Sequence, residues 1–195
     1  MRPRKAIAAL AAVTVPAVAT LGLATSAFAS SPTPADTVCN SGSVSGTIAG
    51  NLVVPAGVKC QAFNLDLQGQ AYVNGELQIF GKATVERNVY VTGGSLQVIN
   101  NTPGETTTFD KSVVITGSAG GPDGQNGFWD EGANTTIHGS LYYLGNTTHL
   151  YSGDAGYKDA GKTTVDGNFV YGFNSVPNNG MDTGSLVVHG TSDVF

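Results

Sequence analysis

Short apolar segments of alternating polarity run along most of the chain, and they recur as one repeated unit. Each unit begins with an apolar residue, passes a small polar or glycine corner, and continues with two apolar residues at alternate positions, as in Ile48, Leu52 and Val54. No segment has the periodicity of an amphipathic helix. The pattern therefore predicts many short β-strands and no helix.

Six copies of this unit can be aligned, at intervals of 19, 18, 24, 28 and 28 residues. Their first apolar residues are Ile48, Leu67, Val85, Phe109, Ile137 and Val165. A second apolar series repeats every 19 residues and consists of Val58, Leu77 and Leu96. Two series with one period indicate that each period is a coil of about 18 residues, made of three short strands and their turns.

The repeat also predicts where side chains point. Because side chains alternate between the two faces of a strand, Val85, Val89 and Val91 should face an interior and stack on the matching residues of the next coil. The corner of each copy carries Asn, Ser or Gln, usually beside a glycine. These polar residues are expected to form ladders that connect successive coils.

This period and pattern resemble those of single-chain parallel β-helix proteins. The even early spacing is similar to bactofilin-type stacks, and the longer later intervals are similar to pectate-lyase-type solenoids. The resemblance covers residues 42–190 and includes no catalytic motif of either family. It implies an all-β fold, a single-chain parallel β-helix (solenoid) over 42–195 with loop insertions in the C-terminal half. A β-sandwich is the alternative, since short strands with glycine turns suit that fold too.

The N-terminal 29 residues have the features of a secretory signal peptide. A basic start is followed by an apolar stretch and by Ala27-Phe28-Ala29, which fits a signal peptidase site. A retained membrane anchor is the alternative. Residues 30–41 are predicted to be a disordered leader and N-terminal cap. The mature protein is expected to be secreted, either extracellular or associated with the cell wall, with no membrane insertion after cleavage.

Charge and motifs narrow the function. Without the signal, six basic residues stand against fourteen acidic ones, a net charge of −8. Such a surface repels phosphate backbones, so the sequence predicts no nucleic-acid partner. It contains no nucleotide-binding loop, zinc-protease motif or nucleophile elbow, and it indicates no cofactor and no metal site.

Only two cysteines occur, Cys39 and Cys60. Their separation is close to one coil plus a small offset, so equivalent positions lie within reach of disulfide geometry. An isolated pair in an exported chain is most simply a disulfide. Two free thiols or half of a metal site are the alternatives.

The longer intervals contain insertions at 118–134, 145–162 and 172–183, which are expected to emerge on one side of the coil. The first insertion combines a tryptophan with three carboxylates, which makes Asp123, Trp129, Asp130 and Glu131 candidate ligand-binding residues. Trp129 can stack on a sugar ring while a carboxylate acts as general acid or base. Alternatively, Trp129 covers the apolar flank of the sheet.

Two outward columns follow from the register. The first column consists of Val53, Tyr72, Tyr90, Val114, Tyr142 and Val170. Its tyrosines are candidate binding residues for a glycan or a protein, although simple β-propensity also places such residues on strands. The second column consists of Thr47, Thr84, Thr108, Thr136 and Thr164. Flat threonine arrays on β-helices resemble ice-binding surfaces, and threonine is also ordinary on exposed strands.

These observations predict a secreted, non-catalytic β-helix module that binds a cell-wall or extracellular glycan or a surface protein. The repetitive scaffold and the outward aromatic residues favour binding, and no recognisable catalytic group is present. One alternative is a small extracellular polysaccharide lyase or hydrolase built on the carboxylates of the first insertion. The other is an ice-binding or structural surface protein.

Overall fold

A computed structural model describes residues 36–99, 104–120, 126–131, 134–152, 162–176 and 180–195. Within these ranges the protein is all-β, with twenty strands and no helix. Every strand pair is parallel, and the strands form an eight-stranded sheet and a strongly curled twelve-stranded sheet. The β-sandwich alternative is therefore wrong, because antiparallel pairing is the rule in that fold. The predicted signal peptide and the first half of the predicted leader and cap lie outside the described residues.

The strands fall into three ladders. The first ladder is the eight-stranded sheet, with β1 (Thr37–Val38), β3 (Leu52–Val54), β5 (Ala71–Val73), β8 (Val89–Thr92), β11 (Val113–Thr116), β14 (Leu141–Leu144), β17 (Phe169–Gly172) and β20 (Ser192–Val194). The second ladder has β4 (Lys59–Leu67), β6 (Glu76–Phe80), β9 (Ser95–Ile99), β12 (Phe128–Glu131), β15 (Leu150–Ser152) and β18 (Met181–Asp182). The third ladder has β7 (Ala83–Val85), β10 (Thr106–Phe109), β13 (Asn134–Ile137), β16 (Thr163–Val165) and β19 (Leu186–Val188).

Strand β4 joins the second and third ladders into one curled sheet. Its first five residues pair with β6, and its last two, Asp66 and Leu67, pair with β7. Between these two parts Asn64 has a φ of +50°, a left-handed conformation that asparagine tolerates. The strand β2 (Gly42–Ile48) pairs with both parts of β4, and the register of this pairing shifts between Ser45 and Gly46. The sheet therefore curls at a bend within single strands.

The predicted register of the main series is confirmed. All six of its residues are successive partners in the third ladder or its β2 and β4 extensions, and Val188 continues the series. The six side chains of the predicted series are buried, as are the predicted interior residues Val89 and Val91, and Val188 is partly buried. The core is thus a set of continuous columns along stacked strands, as the alternation of side chains requires.

The second predicted series is wrong in its first member. Leu77 and Leu96 are partners as expected, but the partner of Leu77 in β4 is Cys60 and not Val58. Val58 belongs to the turn before β4. The series continues in the structure through Phe128, Leu150 and Met181, which lie in the predicted insertions.

The predicted polar ladder at the corner is confirmed. The side-chain oxygens of Asn51, Asn88 and Asn168 accept hydrogen bonds from backbone N–H groups of the following copy at 2.9–3.1 Å. Ser112 and Ser140 do the same with their hydroxyl oxygens, at 3.0 Å. Five of the six corners therefore satisfy a backbone donor of the next copy. At the remaining corner, Gln70 Oε1 accepts from the Tyr72 hydroxyl instead.

The prediction that the insertions emerge on one side concerns loop residues that lie in part outside the described ranges, and the described strands give only the place of each connection in the chain order. The connections 117–127 and 173–180 lie between the first and second ladders, whereas 153–162 lies between the second and third. Each insertion also contains a strand of the second ladder, namely β12, β15 or β18. The repeat interval measures only the total length of a copy, so it cannot show at which corner the additional residues lie.

The predicted disulfide between Cys39 and Cys60 is confirmed. The two Cα atoms are 6.0 Å apart and both cysteines are buried. The bond joins the segment after β1 to β4, so it connects the first and second ladders at the N-terminal end of the stack. A disulfide of this kind is compatible with an oxidising compartment.

Candidate functional site

The tyrosine column lies on the outer face of the eight-stranded sheet, in the predicted order. Tyr72 pairs with Tyr90, and Val114 separates these two from Tyr142. All three tyrosines are half-buried. A groove of about 430 Å³ runs beside part of this column. This volume is within the range of small-molecule sites, roughly 300–1,000 Å³.

The groove is assembled by three neighbouring strands, β5, β8 and β11, and the residues that follow or precede them. Its lining, which we call the tyrosine groove, consists of Gln70, Tyr72, Val73, Asn74, Tyr90, Thr92, Val114 and Thr116. Tyr142 is in the same column but does not line the groove. The third candidate tyrosine is therefore separate from the other two.

Hydrogen bonds hold the two tyrosine rings of the groove to one side. The Tyr72 hydroxyl donates to Gln70 Oε1, and the Tyr90 hydroxyl accepts from Asn88 Nδ2 at 3.0 Å. Each partner lies two residues earlier in the chain, and residues two apart share one face of a strand. The rings consequently lean toward Gln70 and Asn88. Asn74, Thr92 and Thr116 line the groove two residues after the tyrosine column, on the side away from these hydrogen bonds.

The two rings also stack on each other, with centroids 5.8 Å apart and planes 15° apart. This contact covers one face of each ring. The next position of the column is Val114, which is too small to cover the other face of Tyr90. The groove therefore offers an aromatic face beside Val114, together with the amides of Gln70 and Asn74 and the hydroxyls of Thr92 and Thr116. All of its lining residues are uncharged.

The polar side of this groove was not predicted from the sequence. Thr92 and Thr116 are register partners at the position two residues after the tyrosine column, and Asn74 directly follows β5 in the same direction. The alternation that placed the tyrosines on the outer face also places these residues there. Residue spacing was thus a sufficient signal, although threonine on a strand carries no chemistry by itself.

The candidates of the first insertion do not form one site. Residues Phe128–Glu131 are strand β12, where Trp129 and Asp130 point to opposite faces. Trp129 is half-buried on the outer face of the second ladder and makes an edge contact with Tyr151, its ring centroid 6.0 Å away. Glu131 is exposed. Asp123 lies outside the described residues.

Asp130 is in the interior, with 1% of its surface exposed. The Thr163 hydroxyl donates to Asp130 Oδ2 and in turn accepts from the Ser152 hydroxyl at 2.8 Å. Among the described residues, Asp130 Oδ1 and the nearby Thr135 hydroxyl have no hydrogen-bond partner. Burial raises the pKa of Asp130 to about 7, although the hydrogen bond from Thr163 opposes this in part. We call these four residues the interior polar cluster.

Two histidines are hydrogen-bonded to one aspartate on the outer face of the third ladder. Asp166 accepts from His138 Nδ1 at 2.6 Å and from His189 Nδ1 at 2.9 Å. These two histidines lower the pKa of the Asp166 carboxyl, mainly through the hydrogen bonds. All three side chains are solvent-exposed or nearly so. In the ranges that the structure describes, no group of three or more His, Cys, Asp or Glu side chains is arranged to hold a metal ion, and this includes His138, Asp166 and His189.

No described helix is long and apolar enough to cross a membrane. Comparison with known proteins adds no relative: no family model, no curated protein and no solved structure matches this chain significantly.

Proposed function

We propose that the three ladders are the three faces of one parallel β-helix, and that this protein is a secreted, non-catalytic module that binds a glycan in the tyrosine groove. Strands of the first, second and third ladders follow one another in the chain from β5 to β19 without exception. A chain that visits three parallel ladders in a fixed order, one copy after another, winds as a coil. The disulfide supports the secreted location.

The observation that carries the binding proposal is the composition of the tyrosine groove. Sugar rings have an apolar face that packs on aromatic rings, and hydroxyl groups at their edges that need hydrogen-bond partners. Tyr90 supplies the aromatic face, and Asn74, Thr92 and Thr116 supply the partners along the opposite rim. Because the tyrosine rings are tied to Gln70 and Asn88, little side-chain entropy is lost on binding.

The enzymatic alternative has less support. A glycoside hydrolase needs two carboxyl groups on opposite sides of one bond. Asp130 is enclosed in the core and Glu131 is exposed on the other face of the same strand, so these two carboxyl groups do not face each other. The groove itself is lined by no ionisable group other than the tyrosines.

The ice-binding alternative also has less support. The predicted threonine column is present in continuous register, but Asp66 occupies the position between Thr47 and Thr84 and accepts from the Thr47 hydroxyl at 3.1 Å. Charged residues adjoin the same strands, with Lys82 before β7 and Glu86 after it. Charges bind water tightly and interrupt a regular hydroxyl surface.

Binding to insoluble polysaccharides tests the proposal. The purified protein is incubated with a neutral β-glucan, an acidic polygalacturonate and cell-wall material, and the bound fraction is measured together with new reducing or unsaturated ends. We expect binding to a neutral glycan without product. Product formation, or the absence of binding to every glycan, would contradict the proposal.

Tyr90→Ala should reduce glycan affinity about tenfold or more, because it removes the aromatic face of the groove. Tyr142→Ala is the matched control, since it removes a tyrosine of the same column outside the groove and should leave affinity nearly unchanged. Thermal unfolding of both variants separates a loss of binding from a loss of folding. Equal losses of affinity in the two variants would place the binding surface elsewhere.

A further inference from the structure

We propose that the tyrosine groove selects a linear, uncharged, β-linked oligosaccharide that lies along the axis of the coil and spans three sugar units. This inference rests on the proposed function and adds the orientation, the charge class and the length of the ligand. Its basis is the arrangement of the polar rim relative to the strands.

The rim carries one polar side chain for each of three neighbouring strands. Asn74 follows β5, Thr92 ends β8 and Thr116 ends β11. Thr92 and Thr116 are register partners, and adjacent strands are about 4.8 Å apart. The rim therefore presents similar hydrogen-bonding groups at a constant spacing along the stack. The units of an extended β-linked sugar chain advance by a distance close to this strand spacing, so three units span the three rim residues.

The column opposite the rim has the same direction. Tyr72, Tyr90 and Val114 lie on the same three strands, and together they form a continuous apolar strip beside the rim. A ligand that lay parallel to the strands, and therefore across the axis of the stack, would contact only one rim residue and one member of this strip. A ligand that runs along the stack contacts all of them, which favours the axial orientation.

The polar rim ends after three strands. At the position equivalent to Thr116, the next strand carries Leu144, and the one after it carries Gly172. Neither side chain can hydrogen-bond a sugar hydroxyl. On the other side, Val54 precedes the loop at Pro55, and neither residue lines the groove. The site is thus bounded at three units.

The absence of charge in the lining determines the ligand class. No lysine, arginine or histidine lines the groove. A uronic acid carboxylate would lose part of its hydration there without gaining a cationic partner, which is unfavourable. The protein as a whole is acidic, with a net charge of −5 over the full sequence. Both features disfavour acidic polysaccharides.

Titration calorimetry with a length series of neutral β-linked glucose oligomers, from one to six units, tests this inference. We expect affinity to rise about tenfold with each unit up to three and then to remain constant, since each unit adds one hydrogen bond to the rim and one contact with the apolar strip. An equal affinity for one and three units, or a continued rise to six, would overturn the inference while leaving glycan binding intact. Failure of all lengths to bind, in a protein that also binds no polysaccharide, would overturn the proposed function itself.

Thr116→Val removes the last rim hydroxyl while it keeps the shape of the side chain and its β-propensity. This variant should bind three units about as weakly as the wild type binds two, a loss of about tenfold, with no change for the single sugar. Thr136→Val on the third ladder is the matched control and should have no effect. A loss in Thr116→Val that is the same for every ligand length would contradict a three-unit site.

Discussion

The interior corner between the second and third ladders differs between the two halves of the stack. In the N-terminal half the interior residues there are apolar, with Ile79 and Val98 on the second ladder and Ala83 on the third. In the C-terminal half the same two columns continue through polar residues, which are Asp130, Ser152, Thr107, Thr135 and Thr163. All of these side chains are buried.

The backbone ladders run through both halves without a break, so a difference in strand pairing does not explain the change. What differs is the kind of contact that the buried side chains need, which is close packing in one half and hydrogen bonding in the other. Ile79 and Val98 need only close packing. Asp130 needs the hydroxyl of Thr163, which is itself held by Ser152. A buried polar group is tolerated at this corner where its neighbours on three strands provide partners, whereas the neighbours of Ile79 in its column, Ala62 and Val98, are apolar.

The largest effect should come from placing a carboxyl group in the apolar half. Ile79→Asp should lower the free energy of unfolding by about 4 kcal/mol or more, because it loses apolar burial and leaves a polar group without a partner. Ile79→Val is the control and should cost about 1 kcal/mol. Chemical denaturation measures both. If the two variants lowered the free energy of unfolding by similar amounts, the N-terminal half would tolerate a buried carboxyl group as the C-terminal half does.

The second effect concerns pH. Because the pKa of Asp130 is about 7 in the folded protein and the carboxyl has an ordinary value of 3.8, the folded state holds its proton more tightly. Stability from this group is complete below pH 3.8 and is lost as the pH rises to about 7, by on the order of 4 kcal/mol.

Asp130→Asn should remove this slope, so the difference between the two unfolding profiles over pH 4–7 isolates the contribution of Asp130. Asp166 contributes with the opposite sign and below this window, since its pKa is lowered and its stabilisation disappears as the pH falls. Identical pH profiles for the wild type and Asp130→Asn would show that the buried carboxyl is not the source of the slope.

The third effect belongs to the N-terminal half, where the disulfide lies. Replacing both Cys39 and Cys60 by alanine should lower the free energy of unfolding by about 3 kcal/mol according to the chain-entropy estimate. Hydrogen exchange should become faster in β2 and β4 and remain unchanged from β13 onward, because each strand contacts only its neighbours in the stack. Faster exchange throughout the chain would show that the two halves unfold as one unit.

Much of the fold could be predicted from the sequence alone. The register of Ile48 through Val165, the corner ladder of Asn51, Asn88 and Asn168, and the Cys39–Cys60 bond all follow from a repeat interval and the alternation of side chains. These features depend only on the spacing of residues along the chain. A parallel stack preserves that order, because each copy pairs with the next one.

The tertiary structure decided the rest. Trp129 and Asp130 are adjacent in sequence, yet β12 sends one to the outer face and the other into the core. The tyrosine groove joins residues from Gln70 to Thr116, and whether it is open depends on which way the Tyr72 and Tyr90 rings lean. The interval of a repeat is a sum over a whole copy, so it cannot distinguish a loop from a loop that contains a strand. Side-chain direction, burial and the shape of a groove arise only when neighbouring strands are in contact, which is why the sequence determined the register and the structure determined the site.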